Sequence, residues 1–314
     1  MGALSYFPDA DLEQQKILQA VSLASMDREA SFILEGKPIE GKAEEILTLF
    51  EAGCSAGGAK PKVLTSLQGD TLRIGPQISS GWEGWIIKLS NVPTEHKDSK
   101  QEGRMEYACS LMAQAAKIEV PLSRLFEIDS PKEKIKRGLF GTHRFDRNNS
   151  EKIHIHSLAA LLQKDFRTCE ISYEDLASVT LKLTGDFSQL EQVLRRLVFN
   201  VAVGNYDDHA KNHSFLMKTS GEWKLAPAFD LTLSAGMNKM NIHAMSVNGA
   251  RKPQQKDLKI FAENFGIPSL DKILEEVITS IEHWPEWAEQ AECRAANIQK
   301  GKLRLKESLA RLLG

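Results

Sequence analysis

The sequence has few cysteines and no long apolar run, and both absences narrow the class of protein. Its four cysteines, at positions 54, 109, 169 and 293, are widely spaced, and no two form a CxxC pair. This spacing argues against a zinc site or a redox-active dithiol, and it favours a reducing compartment with Cys109 packed on a helix. No stretch approaches the roughly 18 apolar residues that a membrane-spanning helix needs.

An excess of charge of one sign is also missing. Lys and Arg number 40 and Asp and Glu number 42, a formal net charge of −2, so no overall basic field attracts nucleic acid or an anionic membrane. The first residues lack the charged and apolar regions of a secretory signal, and Tyr6 does not fit a myristoylation pattern. We therefore expect a cytoplasmic, globular protein that does not contact a membrane.

The pattern of apolar residues changes along the chain of 314 residues and predicts an α+β fold with two lobes. In the first region we predict helices over 11–25, 43–52 and 102–117 and strands over 63–67, 85–89, 119–128 and 138–145. In the second we predict helices over 156–164, 173–182, 186–203, 256–266, 269–283 and 285–312, with a strand pair at 213–218 and 222–226. The predicted domains are a small mixed lobe, 1–147, and a larger helical lobe, 148–314.

One stretch, Gly204-Asn-Tyr-Asp-Asp-His-Ala-Lys-Asn212, follows the apolar helix predicted over 186–203. Asp207 and Asn212 are five residues apart, the spacing in the catalytic loop of protein kinases, where the aspartate orients the substrate hydroxyl and the asparagine binds magnesium. Asp230 follows a short hairpin, where kinases place another metal ligand. The spacing alone occurs often by chance, and a solvated turn is the alternative.

Lys88 stands in an otherwise apolar predicted strand, Trp85-Ile-Ile-Lys-Leu89. A lysine here can extend along a strand edge to water. In a kinase it would instead hold the ATP phosphates and pair with a helix glutamate. Glu106 is the candidate partner on the next helix, and Glu102 is the rival.

Two further segments fit a nucleotide site. The glycine-rich segment 53–60 could bring backbone N–H groups close to phosphate, although it matches neither a Walker A loop nor the kinase GxGxxG pattern, and a flexible linker is the alternative. His143-Arg-Phe-Asp-Arg147, near the predicted lobe boundary, could supply groups to an adenine ring. The alternative for this segment is a charged surface corner.

In their order along the chain, these motifs resemble the HipA family, bacterial serine/threonine kinases known as toxins of toxin–antitoxin systems. The resemblance covers about residues 53–235 and includes Pro227-Ala-Phe-Asp230. It implies a divergent two-lobed protein-kinase-like fold with ATP and Mg²⁺ as ligands. Since only 52 residues precede Gly53, the chain is most similar to the short HipT-type members, which lack an N-terminal subdomain.

The resemblance also implies a role for each matching residue. Asp207 is the expected catalytic aspartate, and Asn212 and Asp230 are the expected metal ligands. Asp208 stands where some members have glycine. The expected ATP-binding residues are Gly57, Gly58, Ala59, Lys60, Lys62, Lys88, Glu106, His143, Arg144, Phe145, His209 and Lys211. Ser55 matches an autophosphorylated serine, whose phosphate would carry about −1.5 to −2 charge and repel the triphosphate.

The expected partners also follow from the resemblance. They are a protein substrate, an aminoacyl-tRNA synthetase or another translation component, together with a HipB-like DNA-binding antitoxin and a separate small HipS-like protein. DNA contact is expected only through the antitoxin, and the basic residues of the last predicted helix are read as a solvated face. The alternatives are a nucleotide-binding regulatory module, or repressor-complex subunit, without catalysis and a small-molecule kinase.

Overall fold

The computed structural model of the chain describes residues 23–24, 26–27, 61–75, 78–89, 101–129, 136–148, 151–168, 170–233 and 241–314. The chain divides into two compact units, one with Met1–Tyr107 and Leu122–Lys152 and the other with Ala108–Pro121 and Ile153–Gly314. These are called unit 1 and unit 2 below. Helix α1 (Glu102–Ala115) contributes residues to both. The lobe boundary at residues 147 and 148 stays a prediction.

Unit 1 contains a five-stranded antiparallel sheet with the strand order β2-β1-β3-β5-β4. Its strands are β1 (Lys62–Gln68), β2 (Thr71–Ile74), β3 (Glu83–Lys88), β4 (Ser123–Ile128) and β5 (Arg137–His143). Apolar residues at a period of two place one set of side chains on a single face. That face contributes to a core formed by Met26, Val63, Leu67, Ile74, Trp85, Ile87, Leu89, Phe126 and Leu139.

Helix α1 approaches this sheet closely through Gly103. A Cβ atom at Gly103 would lie 2.3 Å from the backbone oxygen of Gly138 in β5, a separation that side chains do not tolerate. The absence of a side chain therefore lets the first turn of α1 lie directly against β5. Glu106 is one turn further along the same helix. Cys109 is buried on α1, as its sequence context predicts.

Short strands and helices connect the sheet of unit 1 to the main helices of unit 2. A two-stranded ribbon, β6 (Arg147–Asn148) with β7 (Glu151–Lys152), ends unit 1. In unit 2, β8 (His154–Ser157) pairs with β9 (Ser214–Met217), which pairs with β10 (Trp223–Leu225). The hairpin of β9 and β10 is where the sequence predicts it.

The helices of unit 2 pack around α4, whose apolar residues are almost all buried. They are α2 (Leu158–Leu161), α3 (Tyr173–Thr184), α4 (Phe187–Val203), α5 (Gln255–Asn264), α6 (Leu270–Glu282), α7 (Trp284–Gln290) and α8 (Ala295–Leu313). Ser172 and Asp175 form a capping box that begins α3. Asp186 caps α4 by accepting a hydrogen bond from the backbone N–H of Ser188.

Three sequence predictions differ from the structure. The helix predicted over 285–312 is two helices, because the backbone of Glu292 takes a positive φ of 53° and ends the α-helical path. The helix predicted over 156–164 is shorter, because residues 156–157 pair with β9 as part of β8 and α2 covers only Leu158–Leu161. Strand β2, for which the sequence analysis predicted no element, is the third difference. The helix 43–52 and most of 11–25 lie outside the described residues.

Candidate functional site

In unit 1 the predicted lysine and glutamate are in contact. Lys88 is the last residue of β3, and its ammonium group forms an ion pair with the carboxylate of Glu106 on α1. The two side chains are 13% and 4% exposed. Lys62, at the start of β1, stands directly opposite Lys88 in the sheet. Strand β3 and helix α1 therefore fix the position of the Lys88 ammonium group, which is predicted to bind the anionic phosphates of ATP.

The segment His143–Phe145 leaves the end of β5. Arg144 is buried, and its Nε and Nη2 donate to the two carboxylate oxygens of Asp146 at 2.9 and 2.8 Å. Its backbone N–H donates to the carbonyl of Gly84 at 2.8 Å. The guanidinium is thus committed to a structural pair. His143 and Phe145 are partly exposed, and their contact with adenine stays a prediction.

Part of the predicted phosphate-binding segment cannot be placed. Ser55, Gly57, Gly58, Ala59 and Lys60 lie outside the described residues. Lys62 is described and half-buried in β1. The assignments of the glycine-rich segment and of Ser55 therefore stay predictions.

In unit 2 the Asp207 loop, which we define as residues 204–213, connects α4 to β9. Gly204 ends α4 with a positive φ of 68°, and its N–H donates to the carbonyl of Asn200. A Cβ atom at Gly204 would lie 2.8 Å from Oγ of Ser308 on α8, so glycine meets both a backbone and a packing requirement. The chain thereby turns sharply out of the buried helix, and in the loop that follows Asp207, His209, Lys211 and Asn212 are partly exposed.

The two ends of the predicted aspartate–asparagine motif are joined directly. Asn212 donates from Nδ2 to the backbone carbonyl of Asp207 at 2.9 Å, and its own N–H donates to the carbonyl of His209 at 2.8 Å. The spacing of five residues thus corresponds to a closed loop. Because Nδ2 of Asn212 makes this hydrogen bond, Oδ1 is the side-chain atom that the predicted role of Asn212 as a metal ligand would use.

The neighbouring aspartates differ in environment. The side chain of Asp207 is 48% exposed, whereas that of Asp208 is fully buried. Asp208 accepts hydrogen bonds from the hydroxyl of Tyr173 at 2.8 Å and the backbone N–H of Ala244 at 2.8 Å, and it lies 2.9 Å from Nδ1 of His243. Burial alone would raise the pKa of Asp208, but the charge and hydrogen bonds of these partners lower it below its usual value. Only Asp207 is therefore accessible to a substrate.

Two predicted cleft residues share an aromatic platform. Phe166 lies 4.7 Å from the ring of His209 and 4.7 Å from Nζ of Lys211, measured to ring centroids. Nε2 of His209 is 3.7 Å from Oδ1 of Asp207. Phe166 thus contacts both a cation and the imidazole that lies beside the exposed Asp207, and the sequence motif gave no indication of it.

The segment that carries Asp230 is held by backbone hydrogen bonds. The carbonyl of Ala226 accepts from Nη2 of Arg196 at 2.7 Å, and the N–H of Ala228 donates to the carbonyl of Glu119 at 2.7 Å. Asp230 itself has a positive φ of 56°, in the left-handed region that aspartate adopts more often than most residues with a side chain.

Asn212 and Asp230 suit a magnesium ion chemically. Both present oxygen, the ligand type that this hard cation prefers, and magnesium usually keeps several waters alongside one or two protein ligands. Among the residues that the structure describes, no cluster of three or more His, Cys, Asp or Glu side chains is arranged to hold a metal. The residues present therefore fit a magnesium ion carried largely by water and by phosphate rather than a closed protein cage.

Sequence reasoning missed the polar residues beneath the Asp207 loop. Arg196 and Asn200 are buried on α4, and Tyr173 is buried at the start of α3. His243, which follows Asp230 in the chain, is also buried. Burial lowers the pKa of Arg196 to about 10. A polar residue within the apolar stripe of α4 was a signal that could have identified Arg196 and Asn200. No such signal existed for His243, because its partner, Asp208, is 35 positions away in the sequence.

In the described part of the chain, no helix has the length and apolar character needed to cross a membrane.

Comparison with known proteins gives a consistent result. The family model described as the HipA-like C-terminal domain matches residues 54–285. Y4dM of Sinorhizobium fredii, whose name proposes a kinase, is 28% identical over 156 residues, which cover 47% of this chain and 36% of Y4dM. The match thus spans about a third of that relative.

Solved structures are similar at low sequence identity. HipA of Shewanella oneidensis MR-1, solved with HipB and operator DNA, has a TM-score of 0.59 and 18% identity, covering 96% of this chain and 81% of HipA. The kinase CtkA of Helicobacter pylori has a TM-score of 0.45 and 14% identity, covering 73% of this chain and 88% of CtkA. The likeness to HipA confirms the predicted α+β, kinase-like fold. Because the family model also matches most of its length, the chain belongs to the HipA-like C-terminal domain family.

Proposed function

We propose that this chain is an ATP-dependent protein kinase that phosphorylates serine or threonine. The observation that carries the proposal is the closed loop in which Asn212 holds the backbone of an exposed Asp207. Membership of the HipA-like family, the relative whose name proposes a kinase and the ion pair of Lys88 with Glu106 support it.

In the proposed reaction, the substrate hydroxyl oxygen attacks the γ-phosphorus of ATP, the bond to the bridging oxygen breaks, and ADP leaves. The carboxylate of Asp207 orients the hydroxyl and takes its proton. Asn212 and Asp230 would hold Mg²⁺, which would offset the negative charge of the phosphates. Lys88 holds the phosphates, positioned by Glu106.

The remaining ATP contacts are assigned by position. His209 and Lys211 face the phosphates beside Asp207, and His143 to Phe145 contact the adenine. The glycine-rich segment, with Gly57, Gly58, Ala59, Lys60 and Lys62, covers the phosphates. These assignments rest on the family motifs and extend the geometry described above.

We further propose a toxin role in a type II toxin–antitoxin system. The related HipA was solved with HipB and operator DNA, which supports a HipB-like antitoxin as a partner and DNA contact through it. A separate HipS-like protein and a host substrate of the translation machinery, such as an aminoacyl-tRNA synthetase, follow from the family resemblance. Such a substrate would place the activity in the cytoplasm.

Ser55 is proposed as an autophosphorylation site. A phosphate there would add about −1.5 to −2 charge beside the triphosphate. The modified chain would bind ATP less tightly, which makes Ser55 an off-switch.

Phosphate transfer from radiolabelled ATP to protein tests the proposal. We expect Asp207→Asn to lower the rate at least about 100-fold, because the proton acceptor is lost while the side-chain shape is kept. Asp271→Asn, an exposed aspartate on α6, is the matched control and should transfer phosphate normally. ATP binding without transfer by the wild-type chain would instead favour a nucleotide-binding regulatory module. Thiophosphate labelling in a lysate, read by mass spectrometry, would identify the substrate and separate a protein from a small molecule.

A further inference from the structure

A buried polar network lies directly beneath the Asp207 loop, within unit 2. The carboxylate of Asp208 is its centre, with the hydroxyl of Tyr173 at 2.8 Å and Nδ1 of His243 at 2.9 Å. The Tyr173 hydroxyl accepts from Nδ2 of Asn200 at 2.9 Å, and Oδ1 of Asn200 accepts from Nδ2 of Asn205 at 3.0 Å. Every member is at most 3% exposed. A buried carboxylate persists only when its charge and lone pairs are compensated, and here several donors do so.

The network ties the loop to distant parts of the chain. Tyr173 is the first residue of α3, Asn200 is on α4, and His243 comes after Asp230. The backbone N–H of Ala244, next to His243, donates to the other oxygen of Asp208 at 2.8 Å. The segment 243–244 thus contacts both carboxylate oxygens of Asp208.

His243 contacts the residues on both sides of Asp207. Its ring packs edge-on against the ring of Tyr206, with centroids 5.0 Å apart, and its Nδ1 meets Asp208. Tyr206 is fixed from another direction, since Nη1 of Arg311 on α8 donates to its hydroxyl at 2.6 Å. The side chains of both neighbours of Asp207 are therefore in contact with one imidazole.

We propose that His243 is a positioning residue for phosphate transfer, acting through Asp208 and Tyr206 to fix the orientation of Asp207. Asp208 is the anchor of this contact and takes no part in proton transfer. The inference rests on the proposed kinase function. A displacement of about 1 Å in a reacting group can cost about 100-fold in rate, so a residue that touches no substrate can still control kcat.

A cavity makes the proposal testable by chemical rescue. His243 and Tyr206 line a cavity of about 430 Å³, together with Lys252, Gln254 and Ser308. Truncation of His243 would open space that is continuous with this cavity. Free imidazole could enter it and restore a donor to Asp208 and a ring against Tyr206.

The variants are His243→Ala, which removes the donor and the ring, and His243→Asn, which keeps a donor near the position of Nδ1. We expect His243→Ala to lower kcat about 10- to 100-fold with an unchanged KM for ATP. His243→Asn should lose less, and added imidazole should restore part of the activity of His243→Ala. Glu276→Gln is the control, because Glu276 pairs with Lys117 and Arg195 and has no contact with the Asp207 loop among the described residues.

Hydrogen–deuterium exchange gives a readout that does not require activity. In His243→Ala, the amides of residues 206–212 should exchange faster while those of α6 are unchanged. A normal kcat, or unchanged loop exchange, would overturn the inference even if Asp207→Asn abolishes transfer. If imidazole does not restore the kcat of His243→Ala, and Glu276→Gln lowers kcat as much, then His243 contributes only to the general stability of the fold. If the wild-type chain transfers no phosphate, the proposed function fails, and loop exchange still decides whether His243 positions Asp207.

Discussion

The ammonium group of Lys88 and the carboxylate of Glu106 form an ion pair that joins β3 to α1 inside unit 1, with both side chains largely buried. A buried pair resists the loss of one partner more than a surface pair does, because the remaining charge stays away from water. The pair therefore both stabilises unit 1 and fixes the position of the Lys88 ammonium group.

The first prediction concerns this pair. Glu106→Gln leaves the Lys88 ammonium without its carboxylate, and we expect it to lower the free energy of unfolding by about 3 kcal/mol and to raise the KM for ATP. Glu222→Gln is the control, since Glu222 pairs with Lys218 and both side chains are more than half exposed. Thermal unfolding followed by circular dichroism and steady-state kinetics measure the two effects. Equal effects of the two substitutions would show that burial of the Lys88 pair has no special role.

The second prediction separates the two functions of Asn212. Asn212→Ala removes both the hydrogen bond to the Asp207 carbonyl and an oxygen ligand, and we expect transfer to fall about 100-fold or more. Asn212→Asp keeps an oxygen ligand, so the magnesium concentration for half-maximal rate should stay closer to that of the wild type. Asn297→Ala, on the first turn of α8, is the control. A magnesium dependence identical in all three variants would contradict a metal-binding role.

The third prediction concerns the sharp end of α4. Gly204→Ala places a side chain at a φ of 68° and 2.8 Å from Oγ of Ser308. Gly185→Ala meets a similar φ of 63° but no atom within 4 Å. We expect Gly185→Ala to cost about 1 kcal/mol and Gly204→Ala distinctly more, measured by urea unfolding.

A double substitution checks the cause. Gly204→Ala combined with Ser308→Ala removes the Oγ atom of the close contact without placing a glycine inside α8, and it should recover part of the stability lost in Gly204→Ala. No recovery would show that the backbone conformation alone accounts for the loss.

The fourth prediction is a pH dependence of stability. Burial alone would raise the pKa of Glu276, but hydrogen bonds and charges from Lys117 and Arg195 lower it below its usual value. A carboxyl group whose pKa is lower in the folded state stabilises the fold above its unfolded pKa of about 4.3, and the contribution is lost as the pH falls through the folded value. Glu276→Gln should therefore be less stable than the wild type at pH about 7, and the difference should shrink below about pH 4.

The measurement is urea unfolding over a pH series, followed by tryptophan fluorescence. Glu282→Gln, an exposed glutamate on the same helix, is the control and should follow the wild type at each pH. A difference between Glu276→Gln and the wild type that persists unchanged into acid would contradict the ion-pair explanation.

Local patterns in the sequence predicted most of the helices and strands. The apolar stripe of 186–203 predicted α4, and the glycine at 204 predicted its end, because helix periodicity and a left-handed cap are properties of neighbouring residues. The prediction failed where distant segments compete, as at 156–157, which pair with β9 instead of forming the first residues of the predicted helix.

In the candidate site as well, local features were predictable from the sequence and contacts between distant residues were not. The spacing of Asp207 and Asn212 is local, so the sequence contained it, and the structure adds the hydrogen bond that joins them. The spacing of five residues to Asn212 favoured Asp207 over Asp208 as the expected catalytic residue. The structure adds that Asp208 is buried against Tyr173 and His243, which are 35 positions away on either side.

The sequence by itself determined the family motifs, the α+β class and the identity of the charged residues, since these depend on residue type and short spacing. Only the tertiary structure decided that Glu106 pairs with Lys88, that Asp208 is buried and that His243 contacts both neighbours of Asp207. The physical reason is that the cost of burying a charge depends on which groups surround it in space, and those groups come from segments that are remote in the chain.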